Sequence, residues 1–226
     1  MKVVILAGGF GTRIAEANGP KPMVAIGNKP ILYHIMNYYK KFGFDDFIIA
    51  LGYKGNFIRK KFSRYNFKAQ FIDTGLNTMT GGRLKRLSKY LQNERFMLTY
   101  GDGLSDVNLK KLLNHHIKSK KIATVTAVRP PARFGEIVIK SNKVVEFNEK
   151  TQSKKQWING GFFIFEPEFL KYIKNDQTSL ESDPLTTISK KGMLSAYRHE
   201  KFWQCMDTMK DKNYLEKLWK KKAPWV

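Results

Sequence analysis

Short apolar runs alternate along the first half of this chain with longer stretches in which apolar residues recur at helical spacing. The run over residues 3–7, Val-Val-Ile-Leu-Ala, has no polar position and predicts a buried strand. Pro30 opens an amphipathic helix through Phe42, with Ile31, Ile35 and Tyr38 or Tyr39 on one face and Gly43 as its stop. Residues 47–51 form a second apolar strand, and Tyr53-Lys54-Gly55 turns into a basic helix ending near Arg64. The same alternation predicts a strand over 70–73, a helix over 82–91, a strand over 96–100, a helix over 107–119 and a strand over 123–128. Strands alternating with helices need crossovers. The pattern therefore predicts an α/β fold with a largely parallel central sheet flanked by helices, and ligands at the carboxyl ends of its strands.

The rhythm changes after Arg129. Residues 136–139 and 144–147 flank Ser141-Asn142 and read as a hairpin. A strand over 157–165 is interrupted by Asn159-Gly160-Gly161. Pro167 starts a helix, another lies near 184–190, residues 194–199 return to strand, and a last helix runs over about 210–219. No internal repeat, low-complexity tract or linker divides the chain, so residues 1–226 read as one domain.

Composition narrows the classes. At 226 residues, 42% hydrophobic and 13% aromatic, the chain can bury a substantial core, which excludes disorder. No apolar run approaches a membrane span, and the first residues lack a signal pattern, so a cytoplasmic protein is expected. The single cysteine, Cys205, excludes an internal disulfide and a cysteine-rich metal site. The charge is unusual: 41 Lys and Arg against 19 Asp and Glu give +22. Such an excess raises the question of nucleic acid. The lysines are spread as pairs (Lys40-Lys41, Lys60-Lys61, Lys110-Lys111, Lys120-Lys121, Lys190-Lys191), and no zinc-finger, basic-zipper or RNA-recognition spacing accompanies them. They read as solvated surface with a steering benefit for polyanionic substrates.

Chemistry concentrates where the first strand ends. Leu6-Ala7-Gly8-Gly9-Phe10-Gly11-Thr12-Arg13 puts three glycines in four positions and closes on a threonine and an arginine. Glycines let backbone N–H groups approach an anion, and arginine adds a planar fork for phosphate. The dinucleotide fingerprint fails because Ile14 stands where a third glycine belongs, and a P-loop fails because the next lysine is Lys21. Lys21 lies in Gly19-Pro20-Lys21-Pro22-Met23, where two prolines predict an extended, non-helical presentation of its ammonium.

Two aspartates complete the picture. Asp102, between Gly101 and Gly103 at a strand end, suits a magnesium ion bridging to a nucleotide phosphate, or is a turn aspartate. Asp207 is either a second metal ligand or the N-cap of the last helix. Thr78-Met79-Thr80-Gly81-Gly82-Arg83 is a second glycine turn opening a helix, with Arg83 as a source of charge or base contacts. Glu149-Lys150 and Asn159-Gly160-Gly161 have the chemistry to hold a phosphorylated acceptor. The four histidines, His34, His115, His116 and His199, form no metal or nucleophile motif and read as structural, and Cys205 reads as a buried apolar residue.

The string AGGFGTR followed closely by PKPM resembles the signature of sugar-phosphate nucleotidyltransferases. With IGNKPILYHIM, DFIIALGYKG, DTG, MTGGRLKR, YGDG, RFG, INGGFF, FWQCMDT and KAPW, nearly the whole chain resembles the glucose-1-phosphate cytidylyltransferase family. The resemblance implies a Rossmann-like nucleotidyltransferase fold with a mixed, mostly parallel sheet. It implies transfer of a nucleotidyl group from CTP to a sugar 1-phosphate with Mg2+. On that basis Leu6, Ala7, Gly8, Gly9, Phe10, Gly11, Thr12, Arg13, Lys21, Thr78, Arg83 and Gly101 line the nucleotide site, with Arg13 and Lys21 catalytic. Asp102 and Asp207 are the metal ligands, and Gly135, Glu149, Lys150, Asn159 and Gly160 serve the acceptor. Residues 1–128 then form a nucleotide-binding half and 129–226 an acceptor-binding half. A homo-oligomer is the expected assembly. The chain departs from the family pattern between Tyr65 and Gln70 and between Arg13 and Lys21, where it is shorter. It also departs at Thr151 and Cys205, where the family has proline. The nearest alternative is the same chemistry with another nucleoside triphosphate, another sugar phosphate or a phosphorylated non-sugar acceptor. The rival from another class is a non-catalytic, basic nucleotide- or nucleic-acid-binding protein.

Overall fold

The structure is a computed structural model, which describes residues 1–11, 19–130, 135–148 and 156–226. Its first half runs β1 (Val3–Leu6), β2 (Ala25–Ile26), β3 (Lys29–Pro30), α1 (Ile31–Lys41), β4 (Phe47–Leu51), α2 (Gly55–Phe62), β5 (Ala69–Asp73), α3 (Thr80–Arg86), α4 (Ser88–Leu91), β6 (Phe96–Tyr100), β7 (Gly103–Ser105), α5 (Leu109–Ser119) and β8 (Ala123–Val128). The second half adds β9 (Glu136–Lys140), β10 (Lys143–Asn148), β11 (Ile158–Phe165), α6 (Asp183–Lys190), β12 (Leu194–His199), β13 (Trp203–Cys205) and α7 (Met209–Lys221).

Seven of these strands share one sheet in the order β12-β8-β11-β6-β1-β4-β5. β1 pairs in parallel with β4 and β6, β4 with β5, and β8 with β12, while β11 runs antiparallel between β6 and β8. The sheet is mixed and mostly parallel, as the sequence pattern and the resemblance implied. Alternate residues of each central strand feed two different cores. Val3, Ile5, Phe47, Ile49, Met97 and Phe162 pack against α1, α2 and α5 on one face. Val4, Leu6, Ile48, Ala50, Leu98 and Phe163 pack against α3, α4 and α6 on the other. Coverage on both faces is why β1 and β4 carry no polar residue.

Four expectations change. The helix placed over 82–91 begins at Thr80 and breaks at Leu87 into α3 and α4. Its two glycines are needed for close packing: a Cβ on Gly81 would stand 2.8 Å from the Thr178 carbonyl oxygen. Lys21–Met23 is a 3-10 turn rather than extended chain, since a proline at the second position removes only an N–H that the first turn leaves without an intrahelical partner. Pro167–Tyr172 is likewise 3-10. The strand pairs β2–β3 and β7–β13 leave no signal in the sequence, being two or three residues long and too short to show a period. Among the described residues no helix is long and apolar enough to cross a membrane.

The last segment is tied back to α1. Trp225, 1% exposed, donates from Nε1 to His34 Nδ1 at 3.3 Å and stacks on Phe202 with centroids 5.5 Å apart. Trp225→Ala is expected to lower stability by about 3–5 kcal/mol, the usual cost of emptying a buried aromatic site. Urea denaturation of the two proteins measures it.

Candidate active site

The carboxyl ends of β1 and β6 are neighbours because the two strands pair in register, Leu6 beside Tyr100. The glycine loop that leaves β1 and the Gly101-Asp102 turn that leaves β6 therefore meet at one end of the sheet. Between them opens a cavity of about 680 Å³, within the usual range for a small-molecule site. Its walls include Leu6, Ala7, Gly8, Gly9, Phe10, Gly11, Lys21, Thr78, Arg83, Gly101, Asp102 and Asp207. Thr12 and Arg13 lie outside the described residues, so the cavity shows ten of the twelve expected nucleotide residues and both expected metal ligands. Glu149 and Lys150 also lie outside them.

Gly101 is held to glycine by space, since a Cβ there would meet the Leu6 carbonyl oxygen at 2.9 Å. Gly11 has φ +62°, and a Cβ would stand 2.9 Å from Lys21 Cβ, so loop and lysine are packed together.

Lys21 is the electrostatic centre. Its Nζ donates to Asp102 Oδ2 at 2.6 Å and to Asp207 Oδ1 at 2.6 Å. Burial pulls the ammonium pKa down, but the Asp102 and Asp207 carboxylates outweigh it and leave the group above its ordinary 10.5. Lys21 is thus fully charged at neutral pH. Asp207 reaches this point from far along the chain because β13 pairs with β7, and the Met206 N–H donates to the Asp102 carbonyl at 2.8 Å. The capping alternative for Asp207 falls to its neighbour. Thr208 is the N-cap of α7, accepting from the Asp211 N–H at 3.2 Å, while Asp211 Oδ2 accepts from the Thr208 N–H at 2.9 Å.

The two carboxylates fit a divalent ion by their donor chemistry: an oxygen of each converges on one point of positive charge. Among the described residues no three His, Cys, Asp or Glu side chains gather into a cage. Two carboxylates with room for phosphate oxygens suit magnesium, which is bound through one or two carboxylates plus substrate.

Arg83 does not present its charge to the cavity as expected. It is 4% exposed, and its Nη1 donates to the carbonyls of Leu51 and Gly75 and to Thr74 Oγ1, its Nη2 to the carbonyls of Gly8 and Leu76. The guanidinium ties the glycine loop to the ends of β4 and β5 and positions the walls.

The expected acceptor residues Gly135, Asn159 and Gly160 are not among the cavity's lining residues. Asn159 adjoins the cavity through the lining residue Tyr100: its Nδ2 donates to the Tyr100 hydroxyl at 3.1 Å, and Tyr100 donates to Glu181 Oε1 at 2.5 Å. Glu181 Oε2 accepts from Thr80 and Ser179. Burial opposes ionisation of this carboxyl, yet the three hydroxyl donors hold its pKa below the ordinary value. Gly160 turns its carbonyl to Trp203 Nε1 at 2.7 Å, and Gly135 is exposed at the foot of the hairpin. Sequence reasoning missed Tyr100 and Glu181. Tyr100 was findable as the strand-end residue before Gly101-Asp102, whereas nothing around Glu181 in the sequence marks it.

Cys205 is half-buried in the cavity wall rather than in the core. Burial and the nearby Asp207 push its thiol up to about 12, so it is no nucleophile at neutral pH. The histidines bond elsewhere: His34 to the Ile26 carbonyl, His115 to Ser195, His116 to Thr124 and Glu166, and His199 to Ser105 and the Phe202 carbonyl.

Comparison with known proteins agrees with this geometry. The family model described as nucleotidyl transferase matches residues 2–217. A glucose-1-phosphate cytidylyltransferase of Salmonella typhimurium is 45% identical over 253 aligned positions, covering 100% of this chain and 98% of its own length. A probable glucose-1-phosphate cytidylyltransferase of Bacillus subtilis is 38% identical over 97% of this chain and 96% of its own. Among solved structures, HddC from Yersinia pseudotuberculosis superposes with a TM-score of 0.78 at 28% identity, over 96% of this chain and 99% of that one, and it has also been solved complexed with GMP-PN. With the glycine loop, the lysine and the paired aspartates at one sheet end, the chain belongs to the nucleotidyl transferase family, among relatives of the glucose-1-phosphate cytidylyltransferases.

Proposed function

We propose that this protein joins CTP to glucose 1-phosphate, releasing pyrophosphate and forming CDP-glucose, with Mg2+ as cofactor. The observation that carries the proposal is the Lys21 ammonium between Asp102 and Asp207 in a cavity walled by the glycine loop. The acceptor's phosphate oxygen attacks the α-phosphorus in line with the departing pyrophosphate. That oxygen is already ionised at neutral pH, so no side chain has to remove a proton. Catalysis reduces to positioning and to neutralising charge.

Backbone of residues 8–11 lies along the triphosphate, while Lys21 and Arg13 offset its negative charge. The segment from Leu76 to Thr80 with Thr78 faces the nucleoside, and Arg83 holds this wall against the glycine loop. Asp102 and Asp207 would hold Mg2+, which would supply positive charge to offset that of the nucleotide phosphates. Gly135, Glu149, Lys150, Asn159 and Gly160 receive the sugar phosphate, with Tyr100 and Glu181 behind Asn159. Residues 1–128 thus bind nucleotide and 129–226 bind acceptor within one domain, although Asp207 of the second half serves the nucleotide's metal. A cytoplasmic homo-oligomer completes the reading. The exposed apolar face of the β9–β10 hairpin, with Ile139 57% and Phe147 71% exposed, supports the assembly.

A panel of CTP, UTP, GTP, dTTP and ATP against glucose 1-phosphate and other phosphorylated acceptors, read by pyrophosphate release, tests the proposal. CTP with glucose 1-phosphate should turn over fastest. Faster turnover of another pair reassigns the substrates, and tight salt-sensitive RNA or DNA binding without turnover overturns the enzyme reading.

Lys21→Ala should keep a cooperative melt while turnover falls by about 10²–10³, the usual loss on deleting one charge-stabilising group. Asp207→Asn separates metal binding from capping. Thr208 and Asp211 cap α7 without it, so the melt should be retained while turnover falls and the Mg2+ requirement rises. Unchanged magnesium dependence in a folded Asp207→Asn protein removes Asp207 from the metal site.

A further inference from the structure

Both carboxylates assigned above to the metal already share one cation of the chain. Lys21 Nζ stands 2.6 Å from each, with the lysine side chain 15% and each aspartate side chain 27% exposed. Two carboxylates this close and this shielded repel unless positive charge stands between them. The lysine backbone is fixed by the turn it belongs to, with Val24 N–H donating to the Lys21 carbonyl at 3.1 Å and Gly11 packed against its Cβ. What remains adjustable is the four-carbon stem, which bears a strongly hydrated point charge with three donors. A divalent ion needs the same two oxygens that the ammonium holds. The glycine loop that would carry phosphates lines the same cavity as Lys21.

We propose that Lys21 is a resident cation that closes the two-aspartate site of the nucleotide-free protein, so that a divalent ion gains both carboxylates only when nucleotide phosphates draw the ammonium off. The proposal rests on the assignment of Asp102 and Asp207 as metal ligands. Lysine thereby serves two anion sets in turn, carboxylates before nucleotide binds and phosphates after. Linkage then makes nucleotide and divalent ion strengthen each other's binding by the same factor. Metal uptake becomes conditional on substrate, and the free protein avoids holding an ion with no phosphate to bridge.

The test is Mn2+ binding to the nucleotide-free protein, followed by the loss of the free-ion electron paramagnetic resonance signal. Wild type, Lys21→Met, Lys21→Gln and Lys21→Arg are compared after each is shown to melt cooperatively. Lys21→Met and Lys21→Gln should bind one Mn2+ about tenfold or more tightly than wild type, by analogy with the effect of one adjacent opposite charge on a carboxylate's proton affinity. Lys21→Arg keeps a bridging cation and should stay as weak as wild type. The gain should persist in about 0.5 M potassium chloride, where exposed charges are screened within a few ångströms while a contact pair is screened much less. Adding Asp102→Asn to Lys21→Met should abolish it.

Equal or weaker Mn2+ binding by both neutral variants, or a gain that salt erases, overturns the inference. A further arm with a non-hydrolysable CTP analogue separates two kinds of failure. If Asp102→Asn and Asp207→Asn weaken Mn2+ uptake by the nucleotide complex while the neutral Lys21 variants show no gain, only the resident-cation role fails. If neither aspartate variant alters Mn2+ uptake there, the metal-site assignment fails with it.

Discussion

One ammonium between two carboxylates holds together parts of the chain that are 81 and 186 residues apart in sequence. Burial disfavours the lysine's charge and two neighbouring carboxylates repel, so each of the three groups is more comfortable for the presence of the others. Their meeting depends in turn on the sheet. β1 and β6 must lie side by side for the glycine loop and Asp102 to face each other, and β13 must pair with β7 for Asp207 to reach them. A central sheet covered on both faces leaves its strand ends as the place where such charge can be kept near water.

A second polar tie shapes the cavity without touching that centre. The Arg83 guanidinium is surrounded by carbonyls from the glycine loop and the ends of β4 and β5, whose alignment offsets the cost of burying it. Glu181 makes a further tie next to the cavity, collecting the hydroxyls of Tyr100, Thr80 and Ser179. The buried Arg83 and the Glu181 partner Thr80 both belong to α3, so one helix carries both ties to the cavity wall.

Much of this is legible in the sequence, for physical reasons that can be named. Strands such as residues 47–51 and 96–100 have no polar interruption long enough to break them because both faces are covered, and their limits match the apolar runs to the residue. The glycine loop, Lys21 and Asp102 are legible because glycine and proline report local backbone geometry. What stays hidden is long-range. The Thr208–Asp211 capping box competes with Asp207 for the same helix end, and Asp207 is ambiguous until β13 and β7 are seen to pair. Arg83 follows a glycine turn at a helix start, which fits an anion contact as well as a clamp, and only the carbonyls around it decide between them. Glu181 lies in a polar stretch with no periodicity, and its role exists only once α3 and β6 are neighbours.

The excess of positive charge belongs to encounter rather than to the site. Within the described part of the cavity the formal charges are Lys21 and Arg83 against Asp102 and Asp207, which cancel, so most of the chain's +22 is carried away from these lining residues. It is carried by residues such as Lys40, Lys60, Lys110 and Lys190, which are exposed on helices around the sheet. Charges spread in this way act beyond contact range only weakly at physiological salt, where screening sets in over about 8 Å. Their combined field still raises the local concentration of polyanions near the surface. A described lining whose charges balance, inside a basic shell, separates two tasks. On the proposed function, the shell would gather phosphates without choosing among them, and selection would be left to the short contacts of the glycine loop, Lys21 and the paired aspartates.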